Sequence, residues 1–216
     1  MKEIQLFSSD IDSKNRIRTV RAFGIDLGTT NSSVAEASWV PGEKPACKVL
    51  EIDQPLWPAG TMTSSLAPSV VAVLDDDILV GEGAKRLRTR PQDANLFPER
   101  NLFYETKNDM GLRKTYHRAP ENFNHASKIA GNILRFLKDA ALQDGQDRQA
   151  HFCVTVPASF QLNQRRDTLL ACGYAGIHLQ DDDLLDEPTA ALIDFIMSEG
   201  SDRIVEAGRT TRCVVF

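Results

Sequence analysis

Residues Ala22 to Ala37 read AFGIDLGTTNSSVAEA, an apolar run that stops on an acid, a glycine and a row of polar residues before a second run begins. No other stretch restricts the fold as much. VRAFGIDL has the content of a buried strand, SSVAEASWV reads as a second strand, and the turn between them exposes successive backbone N–H groups. Gly28 lets an anion come close to that backbone, and Thr29, Thr30 and Asn31 add donors, so the turn suits a phosphate. Asp26 would repel an anion unless a cation lay between them, which points to Mg2+ reached through water. A tight hairpin whose polar groups satisfy only their own backbone would use the same residues. Neither a GxxxxGK[ST] nor a GxGxxG pattern is present.

The rest of the chain alternates strands and helices. CKVLEI reads as a strand after the Pro41-Gly42 turn, and DQPLWPAGTMTSSLAPS as a proline-bearing loop leading into VVAVL. The DDD turn makes a hairpin of VVAVL and ILVG, and a short basic helix from Glu82 to Arg90 is closed by Pro91. Residues Asn95 to Arg118 keep no clean period and read as loop and short helix. ENFNHASKIAGNILRFLKDAALQDG is the best helix, with Phe123, Ala126, Ile129, Ala130, Ile133, Leu137 and Ala140 on one face and Gly145 at its end. HFCVTVP is a strand stopped by Pro157. NQRRDTLLACGYAG is a helix, IHL a short strand, EPTAALIDFIMSEG a helix opened by Pro188, and RCVVF a last strand. The order implies an α/β fold with a mixed sheet and flanking helices.

Composition limits the partners. The 216 residues are 42% hydrophobic and 25% charged, an ordinary soluble globular balance. A net charge of −5 argues against nucleic acid or an anionic membrane as the main partner. Cys47, Cys153, Cys172 and Cys213 show no ligand spacing and read as buried thiols of a reducing cytoplasm. The start is too charged for a signal peptide, so residues 1–21 read as a polar extension that contributes at most the strand IQLF.

A second stretch, LLDEPTAALIDF, places an acid at the N-terminal end of a helix, where the backbone donors and dipole stabilise its ionised form. Together with GIDLGTTNS, VTVPASFQLNQRRD and LAPSVVAVLDDDILVGEGAK, this stretch resembles the 70-kDa heat-shock chaperone family of the DnaK type. The resemblance runs from Ala22 to the end and implies an actin-like, ribonuclease H-like ATPase lobe. It implies ATP and Mg2+ as ligands, with Asp26 holding the water shell of Mg2+ and Gly28, Thr29, Thr30 and Asn31 cradling the phosphates. Lys107, in YETKNDMG, corresponds to the family's catalytic lysine, although Asn108 stands where the family has arginine. Glu187 would orient the attacking water or bind Mg2+ from its far side. Pro157 and Arg165 would belong to the relay that reports nucleotide state to a substrate-binding domain.

Departures from the family matter equally. The run QDDDLLDEP carries Asp181, Asp182 and Asp183 where basic residues usually contact J-domain co-chaperones, and Ser159 and Leu162 replace the relay's aromatic and acidic neighbours. Standard J-domain stimulation is therefore not expected; the run also fits a solvated loop. In the family a strand like CVVF leads into a second phosphate loop, so these residues read as the first lobe alone, without the second lobe and the peptide-binding domain. Within it, 22–60 and 122–216 would form an inner subdomain and 61–121 an inserted outer one. The implied function is that of a stress-response chaperone that hydrolyses Mg-ATP when complete, to bind and release unfolded polypeptides. By itself the lobe would be inactive. The alternative is a divergent nucleotide-binding switch or scaffold with little ATPase activity.

Overall fold

A computed structural model describes residues 20–40, 43–75, 77–142, 150–197, 210 and 212–215. Residues 1–19 of the polar extension with its IQLF strand, the Pro41-Gly42 turn and Gly145 lie outside them, while Val20 and Arg21 begin the first strand. In chain order, β1 (Val20–Asp26), β2 (Asn31–Trp39), β3 (Ala46–Val49), β4 (Ile52–Pro55), β5 (Thr61–Ser64), β6 (Ala67–Pro68), β7 (Val70–Val73) and β8 (Ile78–Val80) lead to α1 (Glu82–Thr89). Then come β9 (Leu102–Tyr104), α2 (Ala126–Ala141), β10 (His151–Val156), α3 (Leu162–Tyr174), β11 (Leu184–Asp186) and α4 (Glu187–Met197). The main sheet runs β11-β10-β1-β2-β3, with β6 paired to β2. It is mixed: β1 is antiparallel to β2 and parallel to β10, and β10 is parallel to β11.

Alternation along β1 puts Phe23 and Ile25 on one face, with Val34 of β2 and Val154 and Val156 of β10. Ile129, Ile133, Leu134 and Leu137 of α2 cover that face, and all of these residues are buried. Fully burying an aliphatic or aromatic side chain of this size contributes about 1.5–3 kcal/mol, so this layer holds the sheet in place. Gly131 lets α3 approach α2: a Cβ there would lie 2.7 Å from that of Tyr174.

A three-stranded sheet, β8-β7-β9, is shared between two cores. Val71, Val80 and Phe103 face the main core, whereas Val70, Ala72, Leu79 and Leu102 pack with Ala84 and Leu87 of α1. The fully buried Gln54 supplies the cap that α1 lacks in its own sequence. Its Oε1 accepts from the Glu82 N–H at 2.9 Å and its Nε2 donates to the Leu66 carbonyl at 2.9 Å.

Five expected elements differ, the first being the stretch 95–118, read as loop and short helix, which also contributes β9 to the ladder with β7. CKVLEI divides, because β3 pairs with β2 while β4 turns away and pairs with β5. The expected proline loop thereby holds a hairpin. IHL is not a strand: the Ile177 N–H bonds the Cys172 carbonyl at 2.9 Å to close α3, so the ladder beside β10 is taken by Leu184–Asp186. Arg212 to Val215 are exposed and have no regular structure; no described strand pairs with them, and a strand needs a ladder partner.

Candidate functional site

An open cleft of about 470 Å³ lies where β1, β10 and α4 meet the segment after β9. Asp26, Gly28, Thr29, Lys107, Asn108, Pro157, Phe160, Gln164 and Glu187 line it. Six residues expected at a site from sequence thus converge from four distant stretches of chain. Thr30 and Asn31 do not line the cleft. The Thr30 carbonyl accepts from the Ser69 N–H at 2.9 Å, and Asn31 pairs with Pro68 in the ladder. Arg165 stands one residue beyond the lining, behind Gln164.

The turn after β1 is tight. A Cβ on Gly28 would come within 2.0 Å of the Asn31 carbonyl oxygen, which only glycine avoids. Ser69 ties the turn down from outside, its hydroxyl donating to the Gly28 carbonyl at 2.8 Å and lying 2.9 Å from the Ser32 hydroxyl. Asp26 is exposed at the strand end. Its in-register neighbour Thr155 donates a hydroxyl to Oδ1 at 2.9 Å. Neither Ser69 nor Thr155 was singled out in the sequence, although both lie within stretches that carry the resemblance.

Across the cleft, Lys107 sits in a 3-10 turn, Thr106–Asp109, entered through Glu105 in the left-handed region. Its Nζ lies 2.8 Å from Glu187 Oε1, with Lys107 only 10% exposed and Glu187 40%. The ammonium also lies 5.5 Å from the centre of the Phe160 ring. Glu187 is the first residue of α4, where the helix end stabilises a carboxylate. Below the turn, Asp109 accepts from Lys114 Nζ at 2.8 Å and from the Tyr116 hydroxyl at 2.7 Å. Burial, reinforced by Asp109, pushes the Tyr116 phenol far above its ordinary range. Tyr116 is therefore a hydrogen-bond donor at any physiological pH.

Arg165 is clasped from two sides. Its guanidinium lies 3.1 Å from Asp181 Oδ1 and 3.0 Å from Asp186 Oδ1, the residue before Glu187. The hydrogen bond to Asp181 raises its already high pKa. Asp183, though exposed, accepts from the Gln180 N–H at 2.7 Å and caps its own short turn. Two carboxylates of the acidic run thus have partners within the chain, and the run is neither wholly a solvated loop nor wholly a free negative patch.

A divalent ion here would have few protein ligands. Among the described residues no group of three or more His, Cys, Asp or Glu side chains could hold a metal. Asp26 and Glu187 are the two carboxylates on the cleft, and Glu187 is already paired. This donor set fits an ion such as Mg2+, which keeps most of its own waters and takes its remaining ligands from phosphate.

Residues 22–207 match the family model described as Hsp70 protein. The chain is 38% identical over 173 residues to the chaperone protein DnaK of Mesomycoplasma hyopneumoniae strain 232, covering 80% of this chain and 25% of that protein. It is 31% identical over 195 residues to DnaK of Psychrobacter cryohalolentis, covering 83% and 28%. With DnaK of Mycoplasma mobile the identity is 35% over 175 residues, covering 81% and 25%. The chain thus spans about a quarter of the length of these relatives. Its mixed sheet with flanking helices is the architecture of an actin-like ATPase lobe.

Proposed function

Because the chain belongs to the Hsp70 protein family, we propose that its cleft receives the phosphates of Mg-ATP and forms one side of an ATPase site in a DnaK-like chaperone. One observation carries this reading: a lysine–glutamate pair 80 positions apart in sequence faces the Asp26–Thr29 turn across a single cleft. Gly28 and Thr29 would offer backbone and hydroxyl donors to the terminal phosphates, and Thr30 and Asn31, which lie beyond the lining, would fix the shape of the turn through Ser69 and Pro68. Asp26, steadied by Thr155, would hold the inner waters of Mg2+. Bound Mg2+ supplies charge neutralisation along the phosphates. Lys107 adds a second positive charge from the opposite wall, the electrostatic work that phosphoryl transfer needs. Glu187 holds the Lys107 ammonium in place through Oε1, and its other oxygen would orient a water.

Pro157 and Arg165 would pass the state of the site onward. Pro157 lines the cleft, and Arg165 reaches the strand before Glu187. The inner part, 22–60 with 122–216, would carry the phosphate turn and the Glu187 helix, and the 61–121 insert would deliver Lys107. Client polypeptides would be bound outside these residues, in the cytoplasm, with residues 1–21 as an extension. A second reading, a nucleotide-dependent switch with little hydrolysis, draws on the double clasp of Arg165 by Asp181 and Asp186, which holds a relay residue still.

The test joins this chain to the remainder of a DnaK relative and measures Mg-dependent ATP hydrolysis. The ATPase reading expects slow turnover that falls at least about 100-fold in Lys107→Ala, the usual scale for losing one electrostatic stabiliser. Unchanged turnover would remove Lys107 from the mechanism. Tight nucleotide binding without turnover would favour the switch.

A further inference from the structure

The Lys107–Glu187 pair is braced at its lysine end by a residue outside the cleft lining. Lys107 reaches the cleft from a short 3-10 turn rather than from a strand, so no ladder fixes its position. Four residues on, Gly111 adopts φ +77° and lies directly against the first turn of α3. A Cβ there would meet Gln164 Cγ at 2.6 Å and the Gln164 backbone nitrogen at 3.0 Å. At that contact the Gly111 N–H donates to Asp167 Oδ2 at 2.7 Å, across 56 positions of sequence. A carboxylate acceptor makes this bond stronger than a neutral one. Two positions earlier on the same helix, Arg165 bonds Asp186, which adjoins Glu187. The start of α3 thus holds the backbone behind Lys107 and the side chain next to Glu187, and the contacts close a ring: Lys107, Glu187, Asp186, Arg165, Asp167, Gly111.

We propose that Asp167 is a positioning residue for Lys107, anchoring the Gly111 backbone to α3 so that the ammonium is held against Glu187. Its importance for phosphoryl transfer rests on the role given to Lys107 above. The arrangement itself can be read without any nucleotide, so failure of one does not imply failure of the other.

The experiment is competitive labelling of the full chain with trace acetic anhydride, followed by peptide mass spectrometry to read each lysine. In the native chain Lys107 should label slowly, because it is mostly shielded from solvent and paired with Glu187. Asp167→Ala should raise Lys107 labelling at least about fivefold relative to Lys85. Labelling should stay unchanged at Lys138, which donates to the Ala175 carbonyl at 2.7 Å and reports on the α2–α3 core. Asp167→Asn keeps an acceptor oxygen in place and should stay within about twofold of the native rate. No rise at Lys107 in Asp167→Ala, with Lys138 still protected, would overturn the proposal. A rise at both lysines means that the Ala variant has lost its fold. Asp167→Glu then decides, since it keeps the charge but moves the acceptor by one methylene: a rise confined to Lys107 upholds the proposal and no rise overturns it.

Discussion

The two walls of the cleft are built by opposite means. The Asp26 wall is a strand end and its turn, held by ladders to β2 on one side and β10 on the other. The Lys107 wall is a 3-10 turn held by side chains: Tyr116 and Lys114 on Asp109, Asp167 on Gly111, and Glu187 on Lys107 itself. A wall made of ladders shares its load over many backbone bonds. A wall made of side chains can be released one contact at a time, which suits a group that has to adjust to a ligand.

The contrast can be broken first from below. Phe103 is buried under the Lys107 wall, stacked at 6.1 Å on Phe123 and tilted at 5.6 Å against Tyr116. Phe103→Ala should cost about 3–5 kcal/mol, the usual range for emptying an aromatic site, measured by urea unfolding. Its amide-exchange losses should concentrate in Thr106–Asp109 rather than in the Gly28 turn. Gly28→Ala attacks the other wall. The Asn31 carbonyl must move to admit a methyl group, at a cost of about 1–3 kcal/mol, and in this variant the exchange losses should fall in β1 and β2. Equal losses at both walls in either variant would deny that they are built separately.

Smaller changes sharpen the same point. Tyr116→Phe removes one buried donor to Asp109 and should cost about 1 kcal/mol, with Lys107 more reactive than in the native chain. Smallest is a pH effect in the ladder-built wall. Glu36 on β2 is buried against Arg21 at 2.6 Å and Lys48 at 3.0 Å. The hydrogen bond from Arg21 holds its carboxyl below the ordinary value of 4.5. This contribution is therefore present above about pH 4.5 and lost as the pH falls through the lowered native value. Glu36→Gln should flatten the acid limb of the stability curve and leave Lys107 labelling untouched. An unchanged acid limb would remove Glu36 from the sheet's pH dependence.

The same division explains what could be read from sequence. The Gly28 turn, α2 and the Glu187 helix are legible because their signals are local: a glycine in a polar turn, a helical period, a proline in a first turn. The β4–β5 hairpin was hidden because its prolines suggest a loop. The exchange of Ile177–Leu179 for Leu184–Asp186 depends on which segment reaches β10 after α3 has closed on its own carbonyls. Gln54 as a cap for α1, Ser69 on the Gly28 carbonyl and Asp167 on Gly111 join residues 28, 41 and 56 positions apart. Nothing in the local pattern marks such contacts. They follow only once the sheet is assembled.

The central claim is that these two walls face one phosphate-binding cleft. The most direct measurement is a titration of Mg-ATP into the 15N-labelled chain, followed through its amide resonances to millimolar nucleotide. The account predicts shifts that start together at Gly28, Thr29 and Lys107, with Gly111 following as its turn adjusts, and that weaken in Lys107→Ala. Shifts at only one wall, or resonances at both walls that stay fixed while others move, would contradict it.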